Sequence, residues 1–311
     1  MSPRTPTADR LAGVVPPLVT PLTADGELDL PSLERLIAHQ IDGGVDGIFA
    51  LGSSSEVAYF EDAMRERILE AVTGIVAGQV PVLVGVIDMQ TRRVQAHMRA
   101  AERFSPAGYV ATAPFYSITG PEEIERHFRL LAEAASAPVW AYDLPVCVHT
   151  KLGADMLVRL GSDGCLAGVK DSSGDDVGFR RLAALNRAAG SPLSLLTGHE
   201  VVVDGAYLAG ADGVVPGLGN VDPAGYARLH RAAVSEDWAA MKAEQERLSR
   251  LFEIVFQPVG KVGPAAGVGA FKTALRALGV ISTNTMSEPM SPIEGEAVER
   301  IRTLLVETEL L

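Results

Sequence analysis

The chain has 311 residues, of which 47% are hydrophobic and 21% charged, and its formal net charge is −12. That is a globular balance rather than a disordered one, and an acidic chain with no basic block excludes a phosphate backbone, so no nucleic-acid partner is expected. No apolar run approaches the ~20 residues needed to span a bilayer, and the two cysteines, Cys147 and Cys165, have neither disulfide-framework nor zinc-site spacing.

The opening MSPRTPTADR lacks an apolar core, so no secretory leader is read there and a reduced, cytoplasmic setting is expected. Beyond it one unit recurs: a short apolar run, a loop, then a segment with helical periodicity. The first run begins near Val14 (GVVPPLVT). Behind Asp29, a candidate N-cap, Leu33, Leu36, Ile37 and Ile41 fall on one helical face. That helix runs into Gly44-Val45-Asp46-Gly47, where glycine suits the left-handed position after a helix. The next runs begin at Gly47 (GIFAL), Pro81 (PVLVGV) and Gly108 (GYVATAP). Ile124, Phe128, Leu131 and Ala135 repeat the helical pattern behind Gly120-Pro121. Three further runs begin near Pro138 (PVWAYDLP), Leu166 (LAGVK) and Leu193 (LSLLTG). A second glycine-bounded turn, Gly210 to Gly213, leads into the eighth run, GVVPGLG.

These runs are near-continuously hydrophobic, as parallel strands covered on both faces should be. Eight such units, spaced about 20–35 residues apart, predict a (β/α)₈ barrel. A doubly wound sheet is the alternative, but eight similar units without a linker favour closure. After Asn220 the pattern is purely helical, over residues 222–235, 236–256, 267–279 and 293–308. The last three exceed what closure needs. The expected organisation is a barrel over residues 11–235 and a C-terminal helical extension over 236–311.

In such barrels the working residues sit at the C-terminal ends of the strands. Run six ends in Gly168-Val169-Lys170-Asp171-Ser172-Ser173. An amine desolvated among apolar strands is a nucleophile able to form a Schiff base with a ketone. Alternatively, Lys170 pairs with Asp171 or caps the rim. Run five ends in Tyr142-Asp143-Leu144-Pro145, whose phenol can pass a proton or simply pack its ring. Run two ends in Gly52-Ser53-Ser54-Ser55-Glu56. Hydroxyls and backbone N–H groups there make a carboxylate-binding pocket, and Ser53 with Glu56 also has capping-box spacing. Pro114-Phe115-Tyr116 follows run four as a packing or subunit-contact pair.

Taken in order on successive strands, these four elements resemble the pyruvate-dependent class I lyase family. That family includes dihydrodipicolinate synthase, N-acetylneuraminate lyase and the 2-keto-3-deoxy sugar-acid aldolases and dehydratases. The resemblance runs from Gly13 to Asn220. It implies that Lys170 is the Schiff-base lysine and that Tyr142 relays protons. It implies that Ser53 and Ser54 hold the pyruvyl carboxylate and join the relay, and that Tyr116 reaches into a neighbouring subunit's site. It also implies a barrel with a helical extension, assembled as a homotetramer of tight dimers or as a homodimer. Pyruvate and an aldehyde would be the partners. No metal is needed, because the imine on Lys170 is the electron sink.

The departures from the family pattern bear on the substrate. Ser55 stands where glycine is usual, so a positive φ there would be strained. Asp143 replaces an asparagine. Cys147 replaces the arginine that clamps a second carboxylate in dihydrodipicolinate synthases, and a thiol cannot give that bidentate grip. His149, where glycine is frequent, is a candidate hydrogen-bonding group or acid/base, or a loop histidine facing solvent. Glu200 matches an acidic residue that binds sugar hydroxyls in N-acetylneuraminate lyases, and is otherwise a carboxylate at a helix N-terminus. Val201 and Gly217 depart from those lyases. Ser54, Ser55, Asp143, His149, Glu200 and Gly217 are thus the candidate substrate-binding positions. The expected reaction is carbon–carbon cleavage or formation on a 2-oxo acid, with a 2-keto-3-deoxy sugar acid as the substrate class by elimination. The alternatives are a dehydratase using the same imine, a dihydrodipicolinate synthase (against which Cys147 counts) and a non-catalytic 2-oxo acid sensor, which loss of Lys170 or Tyr142 would mark.

Overall fold

Each of the eight apolar runs forms a strand in the computed structural model, which describes residues 10–311; residues 1–9, on which the leader-free reading rests, lie outside the described residues. The strands are β1 (Gly13–Val14), β2 (Ile48–Ala50), β3 (Val82–Gly85), β4 (Gly108–Thr112), β5 (Val139–Asp143), β6 (Gly168–Asp171), β7 (Ser194–Thr197) and β8 (Gly213–Val214). They are parallel, in the order β1-β8-β7-β6-β5-β4-β3-β2. The two ends of the curled sheet meet at a bridge between Pro17 and Phe49. There the Leu18 N–H donates to the Phe49 carbonyl at 2.9 Å, and the Phe49 N–H donates to Pro16 at 3.0 Å. The architecture is a (β/α)₈ barrel.

Eight of the helices accompany the strands: α1 (Leu30–Asp42), α2 (Asp62–Val76), α3 (Thr91–Glu102), α4 (Pro121–Ala134), α6 (Ala154–Ser162), α7 (Asp176–Ala188), α8 (Val203–Ala209) and α9 (Pro223–Val234). Between β5 and α6 lies a one-turn helix, α5 (Pro145–Val148), that no periodicity announces. Three more follow the barrel: α10 (Trp238–Phe252), α11 (Pro264–Ala277) and α12 (Glu296–Glu307). Among the described residues no helix is long and apolar enough to cross a membrane.

Local chemistry sets the boundaries. Asp29 caps α1 by accepting from the Ser32 N–H at 3.1 Å, as its position predicts. Gly44 and Gly210 both take positive φ after α1 and α8. Gly13 is also left-handed, and a Cβ there would collide with Asp46, whose carboxylate accepts from the Val14 N–H at 2.8 Å.

Two apolar regions result. One lies between the sheet and the helices. The other fills the barrel interior with Val15, Phe49, Leu83, Val110, Trp140, Tyr142, Leu196 and Val215. Trp140 plugs the interior, and glycine is required beside it: a Cβ on Gly168 would lie 2.3 Å from its ring. At the mouth, wholly buried Asn220 joins the β1 and β8 ends. It donates to Pro17 and Gly217 carbonyls and accepts from the Val19 N–H and the Gln40 amide. α10 packs on α8 and α9, whereas α11 packs on the turns after β2 and β8. The extension therefore borders the mouth rather than lying remote from it.

Candidate active site

Register brings the first two candidates together. Tyr142 and Lys170 are paired neighbours on β5 and β6, and both point into the barrel. The Lys170 Nζ sits 3.8 Å from the centre of the Tyr142 ring and 5.1 Å from that of Phe49. Phe49 meets Tyr142 edge-on at 6.3 Å. Lys170 is 5% exposed, and among the described residues its Nζ makes no ion pair; aromatic faces surround it instead. The reading in which it pairs with Asp171 does not hold. Asp171 is the next residue along the pleat, faces the helices, and accepts from the Ser173 N–H and hydroxyl at 2.8 and 2.6 Å.

Ser53 completes the cluster from β2. Its Oγ lies 3.4 Å from the Tyr142 hydroxyl. Ser53, Ser54 and Ser55 form a single 3₁₀ turn. The backbone is left-handed at Leu51 and Glu56, on either side of the serines, and not at Ser55, so serine in place of glycine is unstrained.

Ser55 itself is a correction to the expected binding set. Its Oγ accepts from the Leu51 N–H at 3.1 Å and donates to the Leu18 carbonyl at 2.7 Å. The side chain is buried and staples the loop rather than facing a ligand. The capping box is absent too. Glu56 turns away and forms a wholly buried ion pair with Lys272 of α11. Its second oxygen accepts from the Ser287 N–H at 2.7 Å, and Lys272 donates to the Thr285 carbonyl at 2.8 Å. Sequence reasoning missed Lys272 altogether. The signal was a lysine inside the apolar stretch Val268 to Leu275.

Asp143 is the second correction. The pleat that turns Tyr142 inward turns Asp143 outward, and it is fully buried there. Its carboxylate pairs with Lys151 and accepts from the Leu152 N–H at 3.1 Å. Lys151 lies 3.4 Å from Asp171 as well. Burial pushes the Asp143 carboxyl up to about 6 in spite of Lys151. This Asp143–Lys151–Asp171 group backs β5 and β6 and does not face the mouth.

His149 ends α5 with a left-handed backbone and is exposed, which is the loop-histidine arrangement. Cys147, on the same turn, is exposed and offers no positive charge. Tyr116 is 89% exposed and left-handed, and does not reach the Tyr142 hydroxyl of its own chain.

Glu200 follows β7 and is half-buried near Lys170. It does not cap α8, which starts only at Val203. Its Oε1 accepts from the Leu218 N–H at 2.5 Å. Burial pushes its carboxyl up to about 7, against the pull of that N–H and of the Lys170 charge. Gly217 lies beside it: a Cβ there would be 2.7 Å from the Phe271 ring and 3.4 Å from Glu200 Oε2. Ser53, Ser54 and Glu200 form one side of a cleft of about 570 Å³ whose other side is α11 and the end of α10.

The end of a barrel strand thus carries a lysine among aromatic faces, with a phenol and a hydroxyl beside it. The chain matches the dihydrodipicolinate synthetase family over residues 10–308 and belongs to it. It is an enzyme of that family, a lyase. It is 27% identical to a 4-hydroxy-tetrahydrodipicolinate synthase of Thermotoga neapolitana, with 96% of this chain and 99% of the relative covered. It is 34% identical to an uncharacterized DapA-like lyase of Halobacterium salinarum, over 84% of this chain and 83% of that protein. Among solved structures, YagE from E. coli K12, a prophage protein of the dihydrodipicolinic acid synthase family in complex with pyruvate, superposes with a TM-score of 0.90. The two are 25% identical, and 97% of this chain and 99% of YagE are covered.

Proposed function

We propose that this enzyme is a class I aldolase that cleaves a 4-hydroxy-2-oxo acid to pyruvate and an aldehyde, or joins the two. The observation that carries the proposal is the Lys170–Tyr142–Ser53 cluster, 3.8 Å from amine to ring and 3.4 Å from phenol to hydroxyl. Lys170 attacks the C2 ketone, Tyr142 protonates the departing hydroxyl, and water leaves, giving a protonated imine and a tyrosinate. Tyr142 takes the proton from the C4 hydroxyl and Ser53 relays it. The C3–C4 bond breaks, its electron pair passes into the imine as an enamine, and the aldehyde departs. Protonation at C3 and hydrolysis release pyruvate and restore Lys170. Ser53 and Ser54 hold the carboxylate, and no metal takes part in the scheme.

The substrate belongs to the 2-keto-3-deoxy sugar-acid kind, with Glu200 meeting a hydroxyl next to the reacting carbons. Cys147 speaks against dihydrodipicolinate synthesis, which requires a grip on a second carboxylate. Exposed Tyr116 meets a second copy in a cytoplasmic homodimer or homotetramer and completes the relay there.

The test is borohydride reduction with pyruvate present, followed by intact-mass and peptide analysis. A reduced pyruvyl adduct on Lys170, absent in Lys170→Ala, is the expected result. No adduct, under conditions that trap a control aldolase, removes the mechanism and leaves a binding protein.

A further inference from the structure

Next to Ser53 the cleft is polar, and along α11 and the end of α10 it is largely apolar. Ser53, Ser54 and Glu200 supply the near end. Beyond them the wall is Phe252, Val255 and Phe256 from the end of α10 and the turn after it, and Val268 and Phe271 from α11. Among the described residues the one cation lining this wall, Lys261, donates to the Ser291 carbonyl at 2.8 Å and to its hydroxyl at 2.7 Å. Two of its three N–H groups are thereby taken. Among the described residues the far wall is thus largely apolar and lacks the closely spaced polar side chains that a chain of hydroxyls would require, since each hydroxyl buried without a partner is costly. Phe256 is 67% exposed, an apolar surface open at the mouth of a reacting cleft.

We infer that the far part of the aldehyde half is hydrocarbon, an alkyl or aryl tail that lies against Phe252, Phe256 and Phe271. This inference rests on the aldolase reading and narrows it: the polar part of the substrate extends to Glu200 and no further. A terminally deoxygenated sugar acid or an alkyl homologue fits, whereas a fully hydroxylated or dicarboxylic acid does not. The wall shares one cleft with Ser53 and Glu200, and Ser53 lies 3.4 Å from the hydroxyl of Tyr142, whose ring meets Lys170.

The experiment uses straight-chain 2-oxo acids from pyruvate to 2-oxooctanoate, which lack the C4 hydroxyl and cannot be cleaved, with 2-oxoglutarate as the charged control. The readout is the concentration that gives half-maximal borohydride trapping on Lys170 in the full chain. The expected result is a drop of about threefold to fourfold per added methylene, the worth of burying one CH₂ group, with 2-oxoglutarate weaker than 2-oxopentanoate. Phe256→Ser, an exposed position outside the reacting cluster, should flatten the series and leave pyruvate trapping unchanged. A flat series in the native chain, with pyruvate still trapped, overturns the tail and leaves the aldolase reading standing. Absence of the pyruvate adduct itself overturns both. If Phe256→Ser instead changes the size of the assembly by light scattering and leaves the series as it was, the wall belongs to a second copy and the tail is rejected.

Discussion

Tyr142 and Lys170 differ from Asp143 and Asp171 by one position along the same two strands, yet the pairs occupy opposite environments. The inner pair is walled by aromatic rings, and Lys170 stands there without a counter-ion among the described residues. The outer pair is fully committed: Lys151 bridges the two carboxylates, and backbone N–H groups of Leu152 and Ser173 take the remaining oxygens. A pleat of period two sorts four polar side chains into an unpaired inner set and a scaffolding outer set. The carboxylates that fix the strand ends thus lie on the face away from Lys170, where Lys151 pairs with both.

The largest expected effect tests the inner set. Tyr142→Phe keeps the ring beside Lys170 and removes the proton carrier, so kcat should fall about 10²- to 10⁴-fold while pyruvate trapping persists. An unchanged kcat would place proton transfer elsewhere.

The outer set should answer in stability instead. Asp143→Ala strands Lys151, which is partly solvated, and should lower stability by roughly 1–3 kcal/mol in denaturant titration, with half-saturation for pyruvate trapping unaltered. A weakened pyruvate interaction at unchanged stability would move Asp143 into the site. The same carboxyl carries a pH signature. It titrates at about 6 in the fold, above the ordinary 3.8, so between those values the folded state holds the extra proton. Its term therefore lowers stability as pH rises from 4 to 6. Asp143→Asn should lose that falling contribution, as measured by denaturant midpoints across the range.

Glu200 sharpens the comparison from the mouth. Its carboxyl, pushed up to about 7, is protonated below that pH and can donate to a substrate oxygen. Glu200→Gln imitates that form, so native and variant enzymes should match at pH 6 and diverge by a few-fold above pH 7 in kcat/KM. Parallel profiles would remove Glu200 from the substrate. The smallest effect is expected for Gly217→Ala, whose new methyl must displace the Phe271 ring; KM should rise a few-fold with kcat near native.

These contrasts explain what the sequence revealed and what it hid. The eight runs, the barrel and the Lys170–Tyr142–Ser53 cluster were legible because apolar continuity marks parallel strands and chemistry gathers at their ends. The same continuity erased the alternation that would have told Tyr142 from Asp143, so Asp143 was expected at the substrate. Ser55 was misplaced for another reason. A serine in a tight turn is as able to bond its own backbone as a ligand, and only the carbonyl of Leu18, 37 positions away, decides. Glu56 had a local partner on paper, whereas its partner in space is Lys272, beyond the reach of any spacing rule.

The buried bond between Glu56 and Lys272 also bears on how this sequence can change through descent. Replacing either residue alone leaves an uncompensated charge in the interior, whereas exchanging both for uncharged side chains of similar bulk leaves little to compensate. The two positions are thus expected to be inherited as a unit, acid with base or neither. A transplanted C-terminal extension should work on a foreign barrel only when it brings the matching half.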